Sequence, residues 1–434
     1  MFDKFIEKMN QISMALNENV IISSVKDSFL FITPFIIMAS IGTLGGSVIC
    51  SSTNGLAQFE SFAFLANLVP LFSSISYGCL TIISLMVAFN MGRFIGKQKG
   101  CDPFFTGLLG LVSYICVVPT TISVTVGDEI GTAQGIASSI SNANGLFLAM
   151  FIASLSTYIF AYLSKIESLK IKLPNSVPPM VSNSFSSLVP TILTVFIIAL
   201  IGFIFQKATG MYLSDFIYTM IQVPLVAVVQ NPAGPIVITL IGCLFWIFGI
   251  HGSSIVSGIM NPMMIAALQA NMDAVAQGQE PVNIVTRSWN FIYTCIGGFG
   301  CTLGLVIAIL IFSKRPEQRT IAKLALPSSL FEINEPVLFG LPVVMNPYYA
   351  IPFILAPVAT TTIGYLATYF HLVSATIADV PWCMPPFING YLATGGDIRT
   401  VICQALCLVV AIAIYAPFVI ASNKQQVAAE SEAE

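Results

Sequence analysis

Charge is what this chain has least of. Charged side chains make up 9% of its 434 residues and hydrophobic ones 56%, where a water-soluble domain carries about 25% charged residues. The deficit excludes a soluble globular protein and leaves an integral membrane protein. Apolar runs fill the chain so completely that no soluble domain of normal size fits between them. The ten cysteines (Cys50, Cys79, Cys101, Cys116, Cys243, Cys295, Cys301, Cys383, Cys403, Cys407) are scattered through apolar stretches without a CxxC pair. That excludes a disulfide framework or zinc site and leaves small buried hydrophobes. No Walker loop or other ATP-binding pattern is present, so the chain is not an ATP-driven pump on its own. No cofactor or metal is implied, and the net charge of −3 points to no nucleic acid partner. A cleavable signal peptide is also missing: Phe2, Phe5, Ile6, Met9 and Ile12 share one helical face, which predicts an amphipathic interfacial helix within residues 1–27 on the cytoplasmic surface.

The few basic residues are clustered, at Lys4, Lys8 and Lys26; at Arg93, Lys97 and Lys99; at Lys165, Lys170 and Lys172; at Lys314, Arg315, Arg319 and Lys323; and at Lys424. The positive-inside rule places these clusters in the cytoplasm, so each interval between them must hold an even number of spans. Apolar runs of about 18–24 residues occur near 28–50, 74–96, 103–122, 144–164, 188–206, 212–230, 233–250, 289–313, 348–370 and 400–421. Ten spans with both termini inside satisfy every interval, and the predicted fold is all-α. Spans within 28–164 are rich in Gly, Ser and Ala and read as a closely packed scaffold. Asp128 and Glu129 fall in a connection that parity puts outside. Residues 165–187, with Pro174, Pro178 and Pro179, break the pattern and read as an amphipathic connector lying along the membrane surface. Residues 188–421 form a second domain, followed by a tail at 422–434.

The chain is organised around residues 331–347, FEINEPVLFGLPVVMNP, where Glu335 sits among apolar residues and helix breakers. Irregular backbone is tolerated at membrane depth only where it is buried in protein or lines a wet cavity, and it then offers main-chain groups to a ligand. A carboxylate kept there marks a functional site. Two segments, 252–270 and 325–347, are too short or too broken to cross. Interrupted segments of this kind point to a transporter's substrate site, and two opposed re-entrant hairpins with meeting tips are expected. His251, in GIHG between Gly249 and Gly252, sits at the first tip; His371 reads as interfacial. Glu332 is expected at the cytoplasmic surface. Arg287 is expected either to pair with an acid such as Asp273 or to attract phosphate. Trp382, in VPWCMPP, reads equally as a platform for a sugar ring and as an interface anchor.

Four stretches in order, KLPNSVPPMVSNSFSSLVP (172–190), FWIFGIHG (245–252), NEPVLFGLPVVMNP (334–347) and VPWCMPPFINGYLATGGD (380–397), resemble the membrane subunit IIC of bacterial sugar phosphotransferase systems of the lactose, cellobiose and diacetylchitobiose family. The resemblance covers nearly the whole chain. It implies a homodimeric permease of the bacterial cytoplasmic membrane that carries a β-linked disaccharide by an elevator-like motion. The sugar would be presented to a separate phosphorylated IIB protein, itself charged by IIA and docking near the 314–323 basic cluster. The resemblance further implies that Glu335 and His251 lie beside the hydroxyl that becomes phosphorylated, either of them taking its proton. Asn334, Trp382, Asn183 (or Ser184) and Asn144, which opens the fourth span with Gly145, are further candidates for binding the sugar, and the N-terminal half would supply the dimer contact. A lone carboxylate in an apolar hairpin also suits a proton- or sodium-coupled symporter that releases unmodified sugar.

Overall fold

The computed structural model describes residues 11, 18–52, 55–126, 129–174, 177–248, 251–341, 343 and 347–433. Most of the expected N-terminal amphipathic helix, Asp128, Gly249 and most of 342–346 lie outside this set. Each of the ten expected spans coincides with an apolar helix. Seven are long enough to cross a membrane: Val20–Leu44, Glu60–Gln98, Ala143–Leu163, Ser184–Thr209, Leu213–Gln230, Tyr349–Tyr369 and Ile398–Asn423. Three are shorter: Pro103–Ile115, Ala233–Ile247 and Thr302–Phe312. The chain is a multi-pass, predominantly helical membrane protein. By contacts it divides into two compact units, one of Glu18–Ala39 and Ile75–Leu225, the other of Met1–Asn17, Ser40–Ser74 and Val226–Glu434. The division falls between Leu225 and Val226, so the chain over 188–225 clusters with the N-terminal spans and the connector at 165–187 lies inside one unit.

In the N-terminal unit, helix α1 (Val20–Leu44) begins where the Asn19 side chain accepts the Ile21 and Ile22 amides at 3.0 and 3.1 Å. Helices α2 (Ile83–Gln98), α3 (Pro103–Ile115) and α4 (Leu146–Leu163) form its centre. Asp102 caps α3 by accepting the Phe105 amide at 2.7 Å, with Pro103 in the first turn, the usual chemistry of a helix start. Ala88, Gly92 and Gly96 recur every four residues on α2. A Cβ on Gly92 would strike the Thr106 carbonyl, one on Gly96 the Thr106 side chain, and one on Gly110 would lie 2.8 Å from the Ala88 carbonyl oxygen. The helices therefore meet main chain to main chain, the close packing that small residues permit in lipid.

Two features of this unit differ from expectation. The connection after α3 is an antiparallel hairpin of β1 (Thr121–Val126) and β2 (Glu129–Gln134), registered from Thr121 opposite Gln134 to Val126 opposite Glu129; the β-branched alternation of TISVTV accounts for it. The polar stretch after Pro179 does not lie apart as a surface helix but forms the first turns of a 31-residue helix, α5 (Pro179–Thr209). Its hydroxyls bond to their own helix: Ser186 donates to the Ser182 carbonyl at 2.9 Å, Ser187 to Ser184 at 3.0 Å, Thr191 to Ser187 at 2.6 Å and Thr194 to Pro190 at 2.7 Å. Thus satisfied within the helix, these side chains give no reason for it to stop.

The C-terminal unit contains α6 (Ala233–Ile247), α7 (Gly252–Ala276), α8 (Arg287–Tyr293), α9 (Thr302–Phe312), α10 (Pro316–Ser329), α11 (Glu335–Gly340), α12 (Pro347–Tyr369), α13 (Ile388–Ala393) and α14 (Ile398–Ala433). The run expected as one span over 289–313 is broken in two. Its Gly297, Gly298, Gly300 and Cys301 all take positive φ, at 77°, 94°, 88° and 52°, a conformation that ends a helix. A buried polar seam ties 283–288 to 374–380: Asn271 Nδ2 donates to the carbonyls of Asn283 at 2.8 Å and Thr376 at 3.0 Å, Thr286 and Thr376 share a hydroxyl bond of 2.6 Å, and Ser288 donates to the Ala378 carbonyl at 2.9 Å. Arg287 pairs with Asp379 rather than Asp273, Nη1 to Oδ2 at 3.5 Å, with side chains 7% and 0% exposed. The chain brings Asp379 there by donating its amide to Ser40 Oγ at 2.6 Å. Farther along, Asp397 accepts the Ser374 amide at 2.8 Å and the Arg399 side chain at 2.9 Å. Burial pushes its carboxyl up, but these hydrogen bonds outweigh it and hold the group at about 2.

Removing one partner of a buried ion pair strands the other. Arg287→Leu is therefore expected to destabilise the protein by about 3–5 kcal/mol, with most of the loss recovered when Asp379→Leu is added. Thermal unfolding of the detergent-solubilised protein measures both. A single variant that melts like the unaltered chain would remove the pair from the seam's energetics.

Candidate functional site

The site is built where two interrupted segments of the C-terminal unit bring their tips together. Helix α6 ends at Ile247 and α7 starts at Gly252, so the chain reverses within a few residues. The return is tight: a Cβ on Gly252 would strike the Gly242 carbonyl, and one on Gly242 would strike the ring of Phe299. Only residues without side chains let the start of α7 lie against α6 and α6 against the Phe299 loop. His251 occupies the tip, its side chain 52% exposed. Its imidazole lies against buried Trp246, with centroids 4.5 Å apart and planes at 48°. The indole in turn is fixed by donating Nε1–H to Ser253 Oγ at 3.0 Å.

The second tip is a helix break. Helix α10 ends at Ser329, and the Ile333 and Glu332 amides then donate to the carbonyls of Ser328 at 3.0 Å and Ser329 at 3.2 Å. This is the pairing of a Schellman termination, in which the left-handed residue is usually glycine. Here it is Glu332, at φ 63°. The chain resumes as α11, whose first turn is closed by the Asn334 carbonyl accepting the Val337 and Leu338 amides at 3.0 Å each. Glu335 is the first residue of this six-residue helix. Its Oε1 stands 3.6 Å from His251 Nε2, with the Glu335 side chain 43% exposed. That separation is within ion-pair reach yet longer than a hydrogen bond. An acceptor-only carboxylate and an imidazole thus share one open space, the equipment for binding and deprotonating a hydroxyl group.

Both partners rest on the same support, the turn Thr294–Cys301, which the sequence reading took for part of a span although its Ile-Gly-Gly-Phe-Gly run was the signal against it. The Phe299 carbonyl accepts Asn334 Nδ2 at 2.7 Å and the Gly298 amide donates to Glu332 Oε2 at 2.8 Å. Thr302 Oγ1 donates to the Gly297 carbonyl at 2.6 Å and Tyr415 Oη to that of Gly300 at 2.7 Å. Glu332, expected at the cytoplasmic surface, is 7% exposed, because its carboxylate turns inward to this turn. Trp246 is likewise a residue that sequence reasoning passed over.

The remaining candidates stand as follows. Asn334 is 3% exposed, and its amide nitrogen is taken by Phe299. Trp382 is 50% exposed on the segment leading to α13. That segment is pinned where Phe387, at φ 73°, donates its amide to Gln404 Oε1 at 2.7 Å. Asn144 belongs to the N-terminal unit, half-buried in a short 3₁₀ turn, with its amide donated to Asn142 Oδ1 at 3.0 Å. The Asn183 side chain lies outside the described residues. Among the described residues no three His, Cys, Asp or Glu side chains converge in a way that would hold a metal ion.

Comparison with known proteins places this geometry in context. The family profile described as "Phosphotransferase system, EIIC" matches residues 26–357. The chain is 33% identical to the oligo-beta-mannoside-specific EIIC component of Bacillus subtilis (strain 168), over 100% of this chain and 96% of that one. It is 30% identical to the cellobiose-specific EIIC component of Lactococcus lactis subsp. lactis (strain IL1403), over 92% and 93%. The crystal structure of ChbC, the IIC component of the N,N'-diacetylchitobiose-specific phosphotransferase system, superposes with a TM-score of 0.92 at 29% identity, covering 98% of this chain and 99% of that one.

The tightness of the first tip is testable. Gly252→Ala forces its Cβ into the Gly242 carbonyl and is expected to destabilise by about 1–3 kcal/mol, the range for overpacked positions, read as a lowered melting temperature. Unchanged melting would show that the tip opens without cost.

Proposed function

The chain belongs to the phosphotransferase system EIIC family, and we propose that it carries a β-linked disaccharide across the membrane and holds it at the Glu335–His251 pair for phosphorylation by a phosphorylated IIB protein. The observation that supports this reading is the 3.6 Å approach of the two side chains, each brought from a separate helix interruption. The relatives named for oligo-beta-mannoside, cellobiose and N,N'-diacetylchitobiose favour a β-linked disaccharide as substrate class. In the proposed step the sugar hydroxyl oxygen attacks phosphorus, the O–P bond forms as the S–P bond to the IIB cysteine breaks, and the thiolate leaves on IIB. The hydroxyl proton passes to the Glu335–His251 pair. A positioned acceptor of this kind accelerates proton transfer, and phosphoryl transfer otherwise depends mainly on placement. Trp382 would offer its exposed face to a sugar ring, and Asn183 and Asn144 are proposed as further polar contacts for the sugar. Asn334, its amide nitrogen donated to Phe299, would act through the turn that it braces. The C-terminal unit would move the site in an elevator-like manner within a homodimer of the cytoplasmic membrane, termini inside, with IIB docking near Lys314–Lys323.

Glu335→Gln keeps shape and removes charge and proton affinity. Reconstituted with phosphorylated IIB, this variant is expected to bind the disaccharide about tenfold more weakly and to phosphorylate it at least about a hundredfold more slowly, the lower range of general-base contributions. Phosphorylation at the native rate would remove Glu335 from the mechanism. Vesicles containing the protein without its partners are expected to accumulate no sugar against a gradient; accumulation of unmodified sugar driven by protons or sodium would make the protein a symporter.

A further inference from the structure

Glu332 is a buried carboxylate that the reaction above does not use. It stands where a Schellman termination calls for glycine, and a side chain at φ 63° carries a steric cost that glycine would avoid. Burial of a carboxylate adds a second cost. What offsets them is one directed contact: Oε2 accepts the Gly298 amide at 2.8 Å. Among the described residues Glu332 finds no hydrogen-bond partner for Oε1. Its whole polar function is the grip on the glycine turn.

That grip is one of two. Two residues on, Asn334 Nδ2 donates to the Phe299 carbonyl at 2.7 Å. The fit leaves no slack, because a Cβ on Gly298 would lie 2.7 Å from Asn334 Cβ and 2.9 Å from the Glu332 carbonyl oxygen. Residues 332 and 334 are thus fastened to 298 and 299, and the next residue is Glu335. Gly242 on α6 packs against Phe299, so the same turn also backs the hairpin that carries His251. We propose that Glu332 is a positioning residue, whose carboxylate, gripping the glycine turn, fixes the helix break so that Glu335 faces His251. The inference rests on the reading that this pair meets the sugar.

The test uses the full chain in lipid nanodiscs and whichever of cellobiose, N,N'-diacetylchitobiose and mannobiose the unaltered protein binds most tightly. Binding is measured across a range of pH, and melting without sugar alongside. Glu332→Ala is expected to lose more than about tenfold in affinity while melting within a few degrees of the native chain, the scale of loss that misplacement of a contact group by a fraction of an ångström produces. Glu332→Gln keeps an acceptor for the Gly298 amide and is expected to stay within about tenfold, with an unaltered pH profile. Gly298→Ala, which disturbs the same interlock, is expected to reproduce the alanine variant. Glu332→Ala binding within tenfold of native, or a glutamine variant that fails to recover or shifts the pH profile, overturns the proposal. Should the alanine form not accumulate, Gly298→Ala decides in its place: binding within about tenfold of native overturns the proposal. Glu335→Gln is run beside them: loss there with native binding by the Glu332 variants overturns only this inference, whereas native binding by Glu335→Gln overturns the reading of the site and the positioning role with it.

Discussion

A main-chain amide that leaves a helix among apolar side chains has no water to turn to and must find a partner in the protein. The C-terminal unit breaks its helices repeatedly, after Ile247 and at 294–301, 330–334 and 370–387, and its architecture follows from how each break is resolved. Side-chain amides and hydroxyls do much of the work. Gln230 accepts the Ile284 and Val285 amides at 2.9 Å each and donates to the Val285 carbonyl at 2.7 Å, and Gln404 serves Phe387, Ile292 and Asn389 in the same manner. Many of the buried polar residues of this unit are fasteners of irregular backbone, and the open pair at its tips stands on them.

This arrangement separates precision from chemistry. Glu335 and His251 remain accessible, at 43% and 52%, while the groups that hold them, Trp246, Asn334, Glu332 and the glycine turn, are shut away from solvent. Groups locked by packing and hydrogen bonds in this way hold exposed side chains in place. The tight pairing of glycines with ring edges and carbonyls, Gly300 against Phe353 and Gly364 against Tyr293, extends the same rigidity into α12.

Much of this was legible in the sequence, because hydropathy and helix breakers are local signals. Apolar runs marked the seven long membrane helices, and Glu335 and His251 were recognisable as ionisable groups beside helix breaks. The segment over 252–270, expected to be too short or too broken to cross, is instead part of one unbroken 25-residue helix, Gly252–Ala276. What escaped the reading depended on three-dimensional partners. The Ile-Gly-Gly-Phe-Gly run was lost inside an apolar stretch that has the right length for a span, since hydropathy does not register φ. Glu332 reads as a surface acid until the Gly298 amide is in view, and Arg287 gave no sign that its partner would be Asp379, ninety-two positions away. The polar residues after Pro179 suggested a separate surface segment, whereas their hydroxyls are satisfied by the helix itself.

The stripe of Ala88, Gly92 and Gly96 has a mechanical consequence. Where two main chains touch directly, as α2 and α3 do at Thr106, no flexible side chain lies between them to yield under load. Such helices do not shear or tilt singly when the surrounding bilayer is thinner or thicker than their apolar length. The mismatch is passed instead to the lipid, which must stretch or compress around the block, at a cost of fractions of a kcal/mol per ångström. The α2–α4 cluster therefore answers a change in bilayer thickness as one block.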